Sequence, residues 1–217
     1  MTPARPAIRG LIFDLDGTLV DTLDDLAQAV NLTREHYGLA PLPREAIVPN
    51  IGNGGPHLVR ATVPPAAERF EEVFARYLAF YNEHLLDHSR LHAGVAEVLA
   101  HYAERVLGVV TNKAIHETER ILAGLQVRER FRLVLGGDSL PERKPHPLPL
   151  LHFMERFGLA PGEVVMVGDG YHDVRAGKAA GVLTVAITTG VGSRAELEAE
   201  GPDHIITRMD ELPALVA

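Results

Sequence analysis

Five short aliphatic runs, spaced along the chain, limit the folds that this sequence can adopt. They lie at residues 8–14, 106–111, 132–135, 164–168 and 183–187, and residues 205–206 can add an edge strand. Each run has the length and the β-branched character of a buried strand. From residue 106 onward, helix-like segments alternate with the runs, starting near Ala114, Leu148, Val174 and Ala195. This alternation predicts right-handed βαβ units, and therefore an α/β fold whose parallel sheet is covered on both faces.

The segment that follows the first run is far longer than a crossover requires. About a dozen residues suffice to connect two parallel strands, but residues 19–90 carry no strand signal at all. Apolar residues recur there at helical spacing, first from Leu23 to Val30 and then from Phe70 to Leu85. We therefore predict an inserted helical domain at residues 19–90, with the α/β core formed by residues 1–18 and 91–217.

Composition narrows the range of partners. The formal net charge is -8 and no run of five basic residues occurs, which argues against nucleic acid or an anionic membrane as a partner. Cysteine is absent, which excludes disulfides and thiolate metal sites. The residues before the first run contain no long apolar stretch, so neither a signal peptide nor a membrane span is predicted there. We expect a cytoplasmic protein.

The first run ends in two carboxylates, Asp14 and Asp16, followed by Gly17 and Thr18. Close carboxylates do not both stay ionised unless a cation or a proton lies between them, which favours a divalent metal site. Asp14 is then a candidate nucleophile, and Asp16 a candidate general acid and base. Thr18 is a candidate to hold Asp16 by a hydrogen bond. The alternative for the whole stretch is a polar strand end with an ordinary turn.

Two further strand ends carry groups suited to phosphate chemistry. Thr111 and Asn112 follow the second run, where a hydroxyl and backbone N–H groups can cradle a phosphate, although both residues are also common at helix starts. Lys113 is expected to be a solvated side chain. Lys144 is one of only three lysines and lies among prolines. Its compact ammonium suits the neutralisation of a carboxylate together with a phosphoryl group, and the alternative is an exposed loop lysine.

The fourth run is followed by Asp169 and Asp173, which are spaced by one helical turn and can face the same point. Asp14, Asp169 and the backbone carbonyl of Asp16 would offer Mg²⁺ the oxygen ligands that it prefers. Helix capping is a strong alternative for Asp173. We predict a Mg²⁺ site formed by Asp14, Asp16 and Asp169, with Thr18 and Asp173 in supporting roles.

Taken in order, these four strand ends resemble the motifs of the haloacid dehalogenase-like hydrolase superfamily over essentially the whole chain. The resemblance implies a Rossmann-like parallel sheet core with an inserted α-helical cap domain, and Mg²⁺-dependent phosphoryl transfer through Asp14. The segment from Ile51 to Arg60 is similar to the cap motif of family members that hydrolyse 2-phosphoglycolate. The implied substrate is therefore a small phosphorylated metabolite, hydrolysed through an aspartyl-phosphate intermediate.

Such a substrate sets an electrostatic requirement for the inserted domain. A carboxylated phosphoester carries about three negative charges near neutral pH, whereas the segment from Asp21 to Arg90 holds ten acidic residues and six arginines. We predict that Asn53 and Arg60 face the substrate, and that backbone N–H groups of the glycine-rich loop around Asn53 assist them. The alternative is a plain turn with a surface arginine.

Other functions remain open at this stage. A related capped enzyme, such as a pyrophosphatase, a sugar-phosphate phosphatase or a phosphomutase, would carry the same core motifs. A phospho-accepting signalling module also uses an Asp after a strand, but such modules are shorter and lack an inserted domain. Either a monomer or a homodimer is compatible with the sequence.

Overall fold

The computed structural model describes residues 7–216. Its strands are β1 (Gly10–Phe13), β2 (Val20–Asp21), β3 (Arg90–Leu91), β4 (Val106–Val110), β5 (Leu133–Leu135), β6 (Val164–Gly168), β7 (Leu183–Ile187) and β8 (His204–Ile206). Six of them form one sheet in the order β5-β4-β1-β6-β7-β8, and every neighbouring pair in it is parallel. The predicted α/β class is confirmed, and β8 lies at the edge of the sheet as expected.

The central strands β1, β4 and β6 are built from apolar residues and glycine because both faces of the sheet are covered. Leu11 and Phe13 of β1 pack into one apolar cluster, whereas Ile12 between them packs into a second cluster on the opposite face. All residues of β1, β6 and β7 are buried. This two-sided burial explains why the strands appear in the sequence as unbroken aliphatic runs.

Helices connect the strands and cover the sheet. They are α1 (Leu23–His36), α2 (Arg44–Ile47), α3 (Gly55–Thr62), α4 (Phe70–Glu83), α5 (Val95–His101), α6 (Ile115–Gly124), α7 (Leu148–Phe157), α8 (Tyr171–Ala180) and α9 (Arg194–Glu200). Short 3₁₀ turns lie at Val48–Asn50, Pro64–Ala67, Arg128–Arg130, Pro161–Glu163 and Met209–Ala214. No helix within residues 7–216 is long and apolar enough to cross a membrane.

The residues between β1 and β4 form mainly helices, as the long segment without strand signals predicts. Helices α1 to α4 all belong to this stretch, and a two-stranded antiparallel ribbon lies at its ends. In the ribbon, Val20 pairs with Leu91 and Asp21 with Arg90. We propose this ribbon as the junction between core and cap; the exact division into 19–90 and the remainder stays a prediction.

One helix begins earlier than the apolar pattern predicts. Helix α8 begins at Tyr171, not near Val174, because the Asp173 carboxylate accepts the Gly170 N–H at 3.0 Å and caps the first turn. The capping alternative for Asp173 is therefore correct for one of its oxygens. Its other oxygen is available to the site described next.

The sheet order reverses at β1, which has β4 on one side and β6 on the other. In open parallel sheets, ligands bind beyond the carboxyl ends of the strands at such a reversal. The segments after β1, β4 and β6 hold most of the predicted site residues, so the topology brings them to one edge.

Candidate active site

Asp14 directly follows β1 and is held in place from both sides. Its backbone N–H continues the sheet by donating to Val167 O at 2.9 Å. Its carboxylate Oδ1 lies 2.9 Å from the Lys144 Nζ and accepts the Leu15 N–H at 2.7 Å. The side chain is only partly buried and lines the cavity described below, so a ligand can reach it.

Lys144 lies between two carboxylates in a site almost closed to solvent. Its side chain is 1% exposed, and its Nζ lies 2.6 Å from Asp173 Oδ1 as well as near Asp14. Burial alone would lower the pKa of Lys144, but the charges of Asp14 and Asp173 outweigh burial and raise it above its ordinary value. Lys144 is therefore a fixed positive charge, and the alternative of an exposed loop lysine is wrong.

Three carboxylates converge beside this lysine. One oxygen each from Asp14, Asp169 and Asp173 lies within 4.8 Å of the other two. Burial and the neighbouring charges of Asp14 and Asp173 raise the pKa of Asp169 to about 8, and burial raises that of Asp173 to about 6 against the opposing effect of Lys144. Without a cation, the cluster therefore retains a proton near neutral pH. An all-oxygen set of acidic ligands, two of them buried and Asp14 partly buried, fits Mg²⁺.

Thr18 takes a different partner from the predicted one. Its hydroxyl donates to Asp169 Oδ1 at 2.8 Å, not to Asp16. The other oxygen of Asp169 accepts the Val191 N–H at 2.8 Å. The reason lies in Gly17, whose φ of +77° turns the chain so closely onto Asp169 that a Cβ there would lie 2.7 Å from its Oδ2. Thr18 therefore orients a carboxylate of the acidic cluster.

The side chain of Asp16 is bound on both oxygens, outside the acidic cluster. Thr22 donates its hydroxyl to Asp16 Oδ1 at 2.6 Å, and the Lys113 Nζ lies 3.0 Å from Oδ2. The expectation of a solvated Lys113 is wrong: the side chain is 6% exposed and also donates to the Tyr81 hydroxyl at 2.7 Å. Helix α4 covers it, which the local sequence does not reveal. Metal binding through the Asp16 carbonyl stays a prediction.

Thr111 and Asn112, at the end of β4, are both buried. The Thr111 hydroxyl accepts the Lys113 N–H at 3.3 Å. The Asn112 Nδ2 donates to Lys144 O at 2.9 Å and to Gly52 O at 3.0 Å. Asn112 therefore fixes the loop that carries Lys144 and connects it to the inserted helical segment.

A cavity of about 250 Å³ opens between the strand ends and the helical segment. Polar groups of the core form one wall, and mainly apolar and glycine residues of the helical segment form the other. The core wall includes Asp14, Asp16, Thr111, Asn112, Lys113 and Arg143. The opposite wall includes Leu26, Ile51, Gly52, Gly54, Phe74, Tyr77 and Tyr81.

The two predicted cap contacts do not belong to that lining. The Arg60 guanidinium is stacked over the Phe70 ring, 3.5 Å from its centroid, and the residue is exposed. The Asn53 Oδ1 accepts from the Tyr171 hydroxyl at 3.1 Å and lies 2.8 Å from the His172 Nε2. The prediction that Arg60 faces the substrate is therefore not supported, and its surroundings are those of the alternative, a surface arginine. The Asn53 side chain ties the helical segment to the core.

Comparison with known proteins agrees with this geometry. The family model described as haloacid dehalogenase-like hydrolase matches residues 11–187. The chain belongs to the haloacid dehalogenase-like hydrolases.

The chain is similar, over nearly its whole length, to phosphoglycolate phosphatases in sequence and to hydrolases of this family in structure. Phosphoglycolate phosphatase of Chromobacterium violaceum is 38% identical over 213 residues, covering 94% of this chain and 95% of that protein. The protein of the same name from Haemophilus influenzae is 36% identical over 215 residues, with 94% and 96% coverage. A predicted phosphoglycolate phosphatase from Haemophilus somnus superposes with a TM-score of 0.87 at 30% identity, covering 97% of this chain and 98% of its own. A haloacid dehalogenase-like hydrolase from Bacteroides fragilis shares the fold at a TM-score of 0.86, 22% identity and coverages of 94% and 99%.

Within this family the chain is a phosphoric monoester hydrolase. Three residues of its site escaped sequence reasoning. Thr22 and Tyr81 lie on the inserted segment with no local signal, because their roles depend on how that segment packs. Lys113 did carry a signal, since it is one of three lysines in the chain and follows Thr111 and Asn112 directly.

Proposed function

We propose that this haloacid dehalogenase-like hydrolase is a Mg²⁺-dependent phosphatase that converts 2-phosphoglycolate to glycolate and inorganic phosphate. One observation carries the proposal. The Asp14 carboxylate lies in the acidic cluster with Asp169 and Asp173, touches Lys144 at 2.9 Å, and opens onto a cavity large enough for a small phosphoester.

In the first step of the proposed mechanism, an Asp14 carboxylate oxygen attacks the phosphorus atom and forms an aspartyl-phosphate. The bond between phosphorus and the substrate's ester oxygen breaks. In this proposal Asp16 enters the step protonated and gives its proton to that oxygen, so glycolate leaves with a hydroxyl group. The Lys144 ammonium, held on Asp14, offsets the negative charge that builds up around phosphorus.

In the second step, water replaces the leaving group. Asp16, now a carboxylate, takes a proton from the water as its oxygen attacks phosphorus. The acyl-phosphate bond breaks, inorganic phosphate is released, and Asp14 returns as a carboxylate. The hydrogen bond from Thr22 holds Asp16 in one orientation through both steps. Thr111 and Asn112 are proposed to position the phosphate at the end of β4.

Mg²⁺ would be held by Asp14, Asp169 and the Asp16 carbonyl, where it would neutralise phosphate charge and orient the phosphoryl group. The raised pKa of Asp169, caused first by its burial and then by its acidic neighbours, supports a cation there. Asp173 is proposed to act indirectly, because its Oδ1 is bound to Lys144 and its Oδ2 to the Gly170 N–H. Thr18 orients Asp169.

The substrate is proposed from the relatives' names and from the cavity. Phosphoglycolate phosphatases match the chain at 34–38% identity over nearly its whole length. The helical segment closes over the strand ends through Tyr81, Asn53 and Gly52. We propose that it is a cap whose closure excludes water while the aspartyl-phosphate forms. We also propose a cytoplasmic location, where the substrate would be a metabolite, and a monomer or homodimer as the active form.

Replacement of Asp14 by asparagine tests the reaction. Asp14→Asn keeps the shape of the side chain but removes the nucleophile, so phosphate release should fall by about 10³-fold or more. Phosphate release is measured with Mg²⁺ on 2-phosphoglycolate, other small phosphoesters and pyrophosphate. Asp24→Asn is the control, because Asp24 forms only an exposed ion pair with Arg44. Activity of Asp14→Asn within tenfold of the unmodified enzyme would refute the covalent mechanism. A clear preference for pyrophosphate or a sugar phosphate would refute the substrate.

A further inference from the structure

The proposed substrate has a second anionic group, and the cavity must provide a positive charge for it. Lys144 serves the phosphate side, since its Nζ lies between Asp14 and Asp173. Among the described residues that line the cavity, the cationic ones are Lys113 and Arg143. A carboxylate placed beyond the phosphate would therefore be bound by one or both of them.

Lys113 already binds two side chains of the protein. Its Nζ lies 3.0 Å from Asp16 Oδ2 and 2.7 Å from the Tyr81 hydroxyl, and its side chain is almost fully buried. Moving it onto a substrate would leave the Asp16 carboxylate in a closed site without its cation, which is costly. Lys113 is better suited to holding Asp16 than to binding substrate.

Arg143 differs from Lys113 in its interactions. Within residues 7–216, its guanidinium is engaged in no hydrogen bond or ion pair, and the residue is exposed at the cavity wall. Its backbone position is nevertheless well defined, because the next residue is the buried Lys144, whose carbonyl accepts a hydrogen bond from Asn112. Arg143 is thus a free guanidinium on a fixed loop beside the reaction centre.

The glycine-rich loop of the cap leaves room for this guanidinium. Gly54 adopts a φ of +83°, and a Cβ there would lie 3.0 Å from Arg143 Nη1 and 3.1 Å from Asn112 O. A side chain at this position would push against both residues. The loop therefore passes directly over Arg143, and both Gly54 and Arg143 line the cavity at the boundary between core and cap.

We propose that Arg143 binds the carboxylate of the substrate and is the residue that determines specificity for carboxylated phosphoesters. This inference rests on the proposed function and moves the specificity contact from the cap to the core. A guanidinium presents paired N–H donors that match the two oxygens of a carboxylate. Arg60 does not compete for this role, because it is stacked on Phe70 outside the cavity.

The experiment compares two substrates that differ only at the distal group. 2-Phosphoglycolate carries a carboxylate, whereas 2-hydroxyethyl phosphate carries a neutral hydroxymethyl group in its place. We measure kcat/KM for both substrates in the unmodified enzyme and in the variants Arg143→Gln, Arg143→Lys and Arg60→Gln. Arg143 and Arg60 are both exposed, so these variants should fold, and thermal melting of each one checks this.

For Arg143→Gln, kcat/KM on 2-phosphoglycolate should fall by about 10- to 100-fold, the range expected when charged hydrogen bonds are lost. Most of that loss should appear as a rise in KM. The value for 2-hydroxyethyl phosphate should change by less than about threefold, because the phosphate contacts stay intact. Arg143→Lys should give an intermediate loss, since it keeps the charge but not the paired donors. Arg60→Gln should leave both substrates unaffected.

The outcomes separate this inference from the proposed function. If the unmodified enzyme does not prefer 2-phosphoglycolate, the proposed substrate is wrong and the role of Arg143 fails with it. If the enzyme does prefer it and folded Arg143→Gln retains the same preference, the proposed substrate stands and the role of Arg143 is overturned. Equal losses on both substrates would also overturn it, because they would indicate a role in phosphate binding.

Discussion

Asp169 has an environment that opposes its own ionisation. It is buried and lies close to two other carboxylates, and its pKa is raised to about 8. Hydrogen bonds from Thr18 and from the Val191 N–H offset only part of that effect. The arrangement is useful for holding a cation, but it lowers the stability of the metal-free protein.

The pKa of Asp169 gives the direction of a pH effect on stability. Between its ordinary value of 3.8 and about 8, the folded state holds a proton that the unfolded state has released. The free energy of unfolding of the metal-free protein should therefore fall as pH rises through that interval. Asp169→Asn removes the titration while its amide can still reach Thr18 and Val191. At pH 9 it should raise the free energy of unfolding by about 1–2 kcal/mol, or Tm by a few degrees.

Thermal melts in EDTA at pH 5 and pH 9 check this prediction. The gain in Asp169→Asn should be small at pH 5 and larger at pH 9. Asp173→Asn serves as the contrast: at pH 9 it removes a charged partner of the buried Lys144 ammonium and should destabilise the protein, whereas at pH 5 the effect should be smaller, because burial raises the pKa of Asp173 to about 6. A metal-free Asp169→Asn that melts below the unmodified protein at pH 9 would contradict the account.

At the residue scale, sequence reasoning found the groups but often not their partners. Asp14, Asp169 and Lys144 do meet, because each follows a strand or lies in a loop at the same edge of the sheet. The predicted bond from Thr18 to Asp16 and the predicted solvation of Lys113 were wrong. The first depends on the positive-φ turn at Gly17, and the second on the helix that covers Lys113. Local sequence does not identify either partner.

At the scale of elements, helix α1 is hydrogen-bonded to the residues that lead from the helical segment into β3. Asp25 on this helix is fully buried, and its carboxylate accepts the N–H groups of His88 and Ser89 at 2.8 Å each and the Ser89 hydroxyl at 2.6 Å. These donors directly precede β3. One carboxylate therefore holds the chain where it leaves the helical segment and enters β3.

Asp25→Asn should reveal the strength of this connection. An asparagine has one acceptor oxygen, so its amide group would face a backbone donor and leave it unpaired. We expect a loss of about 2–3 kcal/mol in the free energy of unfolding. The neighbouring Asp24→Asn is a matched control on the same helix, since its ion pair with Arg44 is exposed and should contribute less than about 1 kcal/mol. Urea titrations of both variants provide the measurement, and equal stabilities would refute the connection.

Elements were predicted with uneven success for physical reasons. The central strands were located well because burial on both faces makes them continuous aliphatic runs. Helix α4, predicted from its apolar spacing, begins at Phe70 and ends at Glu83. The ribbon strands β2 and β3 were not predicted, since two residues each are too short for any periodic signal. Helix α5 escaped for a similar reason, with seven residues.

At the scale of the whole molecule, we expect Mg²⁺ binding to stabilise the folded protein through the acidic cluster. If Mg²⁺ binds only the folded protein, a concentration of 100 times its Kd should raise the free energy of unfolding by about 2.7 kcal/mol. EDTA should reverse the shift in Tm. The shift should be smaller at pH 6 than at pH 8, because Asp169 must lose its proton to bind the ion. Asp169→Asn should abolish most of it, and an unchanged shift in that variant would exclude Asp169 as a ligand.

The position of the helical segment over the sheet was beyond sequence reasoning. It depends on contacts between residues far apart in the chain, such as Tyr81 with Lys113 and Gly52 with Asn112. The sequence predicted that a segment was inserted and that it was helical. It could not predict which side chains of that segment would reach the cavity, and for this reason Arg60 was assigned the wrong surroundings.

The pairing of β2 with β3 has a consequence for how such enzymes can diversify. Val20 lies opposite Leu91 and Asp21 opposite Arg90. The two ends of the helical segment are therefore held side by side by a clasp, the ribbon of β2 and β3, whose two arms are only two residues long. We therefore expect that changes among the helices between the two arms leave the register of the catalytic sheet unchanged. A chimera that carries a relative's helices between positions 23 and 87, and that keeps a tyrosine at the position of Tyr81, should therefore retain the sheet register and the contacts of Asp16 and Lys113.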